Sequence, residues 1–128
     1  KAIPDLLVAL SASHGAIRHS AVRALDKFGD HSVADHLVEM AQDDDAEVRA
    51  VVLRHVAKYG DLRAGNLCAM ALKDENPGVR STAAIALNTL EETRFLPQLD
   101  AVRSDPHPEV RYHVKRTIQA LRSKKPSA

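Results

Sequence analysis

The sequence repeats itself at a fixed interval of 31 residues. An aliphatic residue followed by arginine recurs at this interval in four places: Ile17-Arg18, Val48-Arg49, Val79-Arg80 and Val110-Arg111. Periods of about 20 to 50 residues are typical of chains in which each repeat is one small supersecondary unit that cannot bury its apolar face alone. Such units are stable only when they stack side by side, so the repeat predicts an elongated stack.

Apolar positions within each repeat follow the period of a helix. Counted from the aliphatic residue, they fall at i+4, i+8 and i+11, which places them on one face of a helix of about three turns. The stripe comprises Ala21/Val52/Ala83/Val114, Leu25/Val56/Leu87/Ile118 and Phe28/Tyr59/Leu90/Leu121. Asp, Asn and Pro precede the helix at 43–46, 74–77 and 105–108, where they supply capping and turn chemistry, and Gly29 and Gly60 stand where it ends.

A second helix follows the first in each repeat. It is predicted over residues 32–41, 62–72 and 94–102, and residues 2–10 fit the same place. The expected fold is therefore all-α: a right-handed α-solenoid, or superhelix, of stacked antiparallel helical hairpins with about four repeats of 31 residues. The predicted organisation is a single repeat domain over 1–122, with units at 1–11 (partial), 12–42, 43–73, 74–104 and 105–122 (partial), and a basic C-terminal tail over 123–128. Because the chain begins in the middle of a unit, we expect it to be part of a longer protein.

The composition excludes several classes of protein. Only 3% of the residues are aromatic and none is tryptophan, so the apolar mass is Ala, Leu and Val, which favours closely packed helices over a sandwich or barrel. The single cysteine, Cys68, excludes an intrachain disulfide and is compatible with a reducing compartment, so a cytoplasmic location is expected. Cys68 shares an apolar column with Leu6, Leu37 and Leu99, which predicts an inert core residue. No apolar run is long enough to span a membrane.

An aspartate, four intervening residues and then Val-Arg recur ahead of a helix rich in Ala and Leu. This pattern resembles HEAT-repeat proteins of the short type common in bacteria and archaea, and is similar to the HEAT-like repeats of phycobilin lyase subunits. The resemblance implies a ladder of hydrogen-bonded ion pairs along the stack, which maps onto Asp43, Asp74 and Asp105 with Arg49, Arg80 and Arg111. Ala12 stands where the first unit would have its aspartate, so Arg18 is expected to lack that partner. Regularly spaced arginines could instead bind phosphates, but the aspartate six residues before three of them favours the ladder.

No arrangement of catalytic or metal-ligating residues accompanies the repeat. The seven histidines share almost no repeat column and have no metal-ligand spacing, so most of them are expected on the surface. HEAT-like hydroxylases that bind iron carry His-Glu pairs, whereas the nearest match here is His19-Ser20. The acidic cluster Asp43-Asp44-Asp45 precedes a helix, where capping explains it better than calcium binding. We therefore predict no enzyme activity, no catalytic or metal site and no cofactor.

The second helices are expected to line the concave side of the stack. Leu67 and Met70 are apolar at positions where water is expected, which indicates either additional core packing or a contact patch for a partner. The leading hypothesis is a noncatalytic scaffold that binds a protein or peptide partner in the concave groove. Its predicted contact residues are Leu67, Met70, His36, Glu39 and Gln98.

Two alternatives remain open at the level of the sequence. The resemblance to phycobilin lyases implies an accessory subunit of a lyase or isomerase that acts on a prosthetic group. Charge supplies the other alternative, because residues 101–128 contain seven basic and two acidic side chains, whereas residues 1–100 contain 11 basic and 15 acidic ones. A basic C-terminal end could contact nucleic acid, with an affinity that falls steeply with salt.

Overall fold

The computed structural model describes residues 2–28 and 31–124. This part of the chain contains helices and no strand, which confirms the all-α prediction. Its α-helices are α1 (Ala2–Ala9), α2 (Gly15–Leu25), α3 (His31–Glu39), α4 (Ala46–Lys58), α5 (Ala64–Ala71), α6 (Pro77–Leu90), α7 (Leu96–Ala101) and α8 (Pro108–Arg122). Short 3-10 helices at Met40–Gln42 and Thr93–Phe95 adjoin α3 and α7. Gly29, which was predicted to end the helix observed as α2, lies outside the described residues, as do residues 125–128 of the predicted tail.

Capping residues of the repeat begin α4 and α6 as their spacing predicts. The Asp45 carboxylate accepts hydrogen bonds from the backbone N–H groups of Glu47 (2.8 Å) and Val48 (3.3 Å) at the start of α4. Asn76 caps α6 in the same way, and Pro77 occupies the first turn, where a missing N–H costs nothing. At the other end of α6, where no glycine is available, Glu91 takes the left-handed conformation with φ of 57°.

The helices form an α-solenoid in which the first helices of the units stack in sequence. Helix α2 packs against α4, α4 against α6, and α6 against α8, while the shorter second helices α3, α5 and α7 pack on this row. One buried cluster contains residues of α2, α3 and α4, and the other extends from α4 to α8. Because α4 contributes to both clusters, a continuous core runs along the stack.

Cys68 lies fully buried in the second of these clusters, against aliphatic and aromatic side chains. Burial raises the pKa of its thiol to about 12, because the thiolate would have to form away from water. This burial confirms the predicted core position of Cys68, and its low reactivity stays a prediction.

Candidate functional site

The arginine and aspartate columns form ion pairs between successive units. In each rung the guanidinium Nε and Nη2 of one unit donate to both carboxylate oxygens of the aspartate 25 residues later. The rungs are Arg18–Asp43 (2.9 and 2.9 Å), Arg49–Asp74 (2.9 and 2.9 Å) and Arg80–Asp105 (2.8 and 3.1 Å). Two parallel hydrogen bonds of this kind are the strongest ion-pair geometry available to arginine.

Backbone groups hold both sides of each rung in place. Arg49 Nη1 donates to the carbonyl oxygens of Asp43 (2.7 Å) and Asp44 (3.1 Å), at the turn of its own unit. The Asp43 carboxylate in turn accepts the Asp45 backbone N–H at 2.8 Å. Burial alone would raise the pKa of Asp43, but the hydrogen bonds from Arg18 and from the Asp45 amide outweigh it and lower the pKa.

This geometry corrects two expectations of the sequence, that Arg18 lacks a carboxylate partner and that Arg111 has one. Arg18 has a full carboxylate partner in Asp43, because the arginine side chain reaches forward to the turn of the next unit. The residue six positions earlier supplies only its carbonyl oxygen, so Ala12 serves as well as an aspartate. Within the described residues it is Arg111 that makes the two carbonyl hydrogen bonds, to Asp105 (2.7 Å) and Pro106 (3.1 Å), without a carboxylate partner.

A groove of about 420 Å³ lies beside the ladder, between α5 and the 3-10 helix that follows α3. Its lining residues are Ala41, Gln42, Asp43, Asp44, Arg49, Leu67, Met70, Ala71, Asp74 and Glu75. Met70 is 62% exposed, whereas Leu67 is half-buried and packs against the core. The structure thus separates the two residues that the sequence treats alike: Leu67 belongs largely to the core and Met70 to the surface.

The groove has a surplus of negative charge. Four carboxylates and one guanidinium line it. Asp43 and Asp74 are engaged in the ladder, while Asp44 and Glu75 are exposed and form no ion pair within the described part of the chain. An apolar side chain at the centre with unpaired carboxylates at the rim is suited to a ligand that carries both apolar and basic groups.

The other predicted contact residues do not join this groove. His36 and Glu39 lie on α3, and Gln98 is exposed on α7, but none of the three lines it. The predicted flanking residues and the Leu67/Met70 pair are therefore not brought together in one cavity.

His55 is a buried polar residue, although its sequence context groups it with the surface histidines. It is 1% exposed, its Nδ1 lies 2.8 Å from Asp26 Oδ1, and its ring lies 4.8 Å from that of Tyr59. Its repeat column offered a sequence signal, because the equivalent positions hold the small residues Ala24, Ala86 and Thr117. Ala86 and Thr117 are also buried. His55 joins unit to unit through Asp26, as the ladder does through its own ion pairs.

No group of three or more His, Cys, Asp or Glu residues within 2–28 and 31–124 is arranged to hold a metal ion. None of the helices in the same ranges combines the length and the apolar character needed to cross a membrane.

Comparison with known proteins places the chain among helical repeats. A family model described as HEAT repeats matches residues 1–57 and 39–122. Human deoxyhypusine hydroxylase in complex with glycerol is similar at 27% identity and a TM-score of 0.75, over 95% of this chain and 44% of that chain. The complex of CpcE and CpcF of phycocyanin lyase from Nostoc sp. PCC7120 is similar at 26% identity and a TM-score of 0.70, over 94% of this chain and 78% of that chain.

An engineered protein shares the fold at 18% identity and a TM-score of 0.70, over 94% of this chain and 62% of that chain. The chain thus spans less than two thirds of the engineered protein and of the hydroxylase. A comparison with curated proteins found no significant match.

Proposed function

The chain belongs to the HEAT-repeat family, and on that premise we propose that it is a noncatalytic scaffold that binds a protein or peptide partner in the groove around Met70. The observation that carries the proposal is the exposure of Met70, at 62%, inside a groove whose floor is core-packed Leu67. Methionine is flexible and polarizable, and it adapts to differently shaped apolar ligands.

The energy available from Met70 is sufficient to matter for binding. Complete burial of such a side chain contributes roughly 1.5–3 kcal/mol, so covering its exposed 62% contributes about 1–2 kcal/mol. That corresponds to about a tenfold change in affinity. Asp44 and Glu75 at the rim favour a segment in which lysine or arginine flanks the apolar residue, because opposite charges raise the association rate and exclude acidic partners.

The test is a selection of random peptides displayed on phage against the chain, followed by affinity measurements on variants. We expect the selected peptides to combine an apolar residue with lysine or arginine and to bind Met70→Asp at least about tenfold more weakly. Leu62→Asp is the matched control, because Leu62 is 96% exposed and lies outside the groove. If Met70→Asp binds the selected peptides as tightly as Leu62→Asp does, the groove assignment is wrong.

The charge component is tested separately with Asp44→Lys combined with Glu75→Lys. This variant should weaken the same peptides and reduce the salt dependence of their affinity, because the rim charge is reversed. An unchanged salt dependence would show that the rim carboxylates do not contribute.

A second candidate function rests on the similarity to the phycocyanin lyase complex, which extends over 78% of that chain. In this alternative the chain is an accessory subunit of a lyase or isomerase that acts on a phycobilin. It predicts a shift in bilin absorbance when the chain is added, alone or with a second subunit. Titrations in which the spectrum does not change would remove this alternative.

We propose no iron site for this chain. The position that would carry a His-Glu pair is His19-Ser20, and the described side chains include no cluster of three or more potential ligands. The residues present do not fit a metal that needs several carboxylate and imidazole donors.

A further inference from the structure

We propose that Arg111, at the C-terminal end of the ladder, binds an aspartate side chain presented by an acidic segment of a partner protein. This site is separate from the groove around Met70 and goes beyond the proposed function. It is inferred from the chain's own ladder, because the same guanidinium is bound by an aspartate in three preceding units.

Arg111 is held in the same way as the arginines that have partners. Its Nη1 donates to carbonyl oxygens at 2.7 and 3.1 Å. The equivalent distances are 2.7 and 3.1 Å for Arg49 and 2.8 and 3.2 Å for Arg80. Since the guanidinium is planar and rigid, fixing Nη1 also fixes the direction in which Nε and Nη2 donate. Arg111 therefore presents the two donors that grip a carboxylate elsewhere in the ladder.

The space in front of Arg111 is open and positively charged. A cavity of about 550 Å³ is lined by Asp100, Arg103, Ser104, Arg111 and Lys115. Its one acidic residue, Asp100, already pairs with Arg122 at 3.0 Å and Arg103 at 3.6 Å. A carboxylate entering the cavity would meet the Lys115 ammonium group and the Arg111 guanidinium, which has no carboxylate partner in the part of the chain that the structure describes. It would find the donors of two charged hydrogen bonds already in place.

The outer face of α8 indicates that the occupant is not one more packed repeat. In α4 the positions that share a core with α6 include Ala50 and Leu53, which are buried. The equivalent residues of α8, 62 positions later in the sequence, are Tyr112 and Lys115, which are exposed. A helix packed here as α6 packs on α4 would have to bury or pair this lysine, and burial of an unpaired ammonium group is costly. A polar segment that reaches the Arg111 donors meets no such penalty.

A second copy of this chain is also a poor occupant. The aspartates that fill the rungs recur at 43, 74 and 105, and the next member of that column, read back into the first unit, is Ala12. A copy stacked in the register of the array would therefore present a methyl group to Arg111. A second copy in this register therefore does not supply the carboxylate, which the proposal assigns to a partner protein.

Phosphate is the competing ligand, because it also accepts paired hydrogen bonds from arginine. The ladder geometry favours a carboxylate, since the three occupied copies of the site hold a planar carboxylate along the Nε–Nη2 edge. The aromatic residue nearest the site in sequence, Tyr112, lies against the Arg116 guanidinium at 5.6 Å. Base stacking therefore gains little from it.

The probe is an acetylated and amidated peptide with the sequence of residues 104–110, the turn that presents Asp105 to Arg80. It is titrated into the isotope-labelled 128-residue chain, and the arginine Nε–H resonances are followed by NMR. The expected result is a saturable shift of the Arg111 resonance, while those of Arg18, Arg49 and Arg80 stay in place. The same peptide with Asn in place of Asp should produce no such shift, and an equal shift with that peptide would overturn the proposal.

Variants separate this site from general electrostatic attraction. Arg111→Gln and the control Arg116→Gln remove the same charge, but only Arg111→Gln removes the paired donors. Arg111→Gln should therefore lower the affinity for the peptide by about tenfold, and Arg116→Gln should lower it by less than about twofold. Arg111→Lys keeps the charge and should also weaken the peptide, because it lacks the paired donors; helical circular dichroism checks the fold of each variant. An equal loss of peptide affinity in the two Gln variants would contradict the proposal. Displacement of the peptide by oligo(dT) that binds more tightly would also contradict it, in favour of nucleic acid. Met70→Asp should leave the peptide's affinity unchanged, so failure at this site and failure at the groove are distinguishable.

Discussion

The central rung of the ladder, between Arg49 and Asp74, offers a quantitative test of what holds successive units together. Asp74 accepts Arg49 Nε and Nη2 at 2.9 Å each and the Asn76 backbone N–H at 2.9 Å. In Asp74→Asn, one carboxylate oxygen is replaced by an NH₂ group that faces a guanidinium N–H, so one charged hydrogen bond becomes a contact between two donors. The carbonyl oxygen of the asparagine can still accept the remaining hydrogen bonds.

The expected loss follows from burial and charge. Breaking a fully buried ion pair costs roughly 3–5 kcal/mol, and one charged hydrogen bond contributes roughly 1.5–3 kcal/mol. The side chains of this rung retain 10% and 14% of their exposure, and the asparagine keeps part of the hydrogen bonding, so we expect Asp74→Asn to lower the free energy of unfolding by about 2 kcal/mol. Because stability in a repeat protein is a sum of unit and interface terms, the loss should also reduce the cooperativity of unfolding.

The assay is urea unfolding followed by circular dichroism. Asp44→Asn is the matched control, since it removes the same charge from an exposed residue without an ion pair in the described ranges, and should stay within about 0.5 kcal/mol of wild type. A double-mutant cycle with Arg49→Gln isolates the coupling between the two side chains. If Asp74→Asn and Asp44→Asn are equally stable, the Arg49–Asp74 rung does not stabilise the stack.

Two further predictions concern titration and reactivity. The lowered pKa values of Asp43 and Asp105 mean that both aspartates stabilise the folded state above their ordinary pKa of 3.8 and lose this contribution as the pH falls through the lower folded values. The free energy of unfolding should therefore change less between about pH 5 and about pH 3 in the double variant Asp43→Asn/Asp105→Asn than in wild type. An equal change in both proteins would contradict the stabilising role of the two aspartates. Since burial raises the pKa of Cys68 to about 12, iodoacetamide should modify it at a rate set by unfolding, and modification at the rate of a free thiol in the folded chain would refute its core position.

The fold could be predicted from the sequence because its main signal is local and repeated. The 31-residue period places Val48, Val52 and Val56 on one helical face, and such a face has to be buried wherever it occurs. The same columns did not reveal that Arg18, Arg49 and Arg80 each pair with the aspartate of the next unit. Periodicity gives the position of a residue along the helix, but not which neighbouring turn a long side chain reaches.

The candidate site was predictable only in part, for a related reason. Helix α5 is apolar around much of its circumference, so sequence pattern alone does not decide which side the neighbouring turns cover. The structure assigns Leu67 mostly to the core and leaves Met70 exposed beside the ladder turns at 43–44 and 74–75. His36 and Gln98 share a repeat column with Leu67, yet neither lines this groove, because its other wall comes from those turns.

The most direct test of the proposed scaffold function uses the chain's two methionines as opposed probes. Met70 is 62% exposed in the groove, and Met40 is 9% exposed in the core. With both methyl groups labelled with carbon-13, titration of a peptide selected for binding should move the Met70 methyl resonance and leave that of Met40 in place. A bound peptide that leaves the Met70 resonance unchanged would contradict the claim that this groove receives the partner.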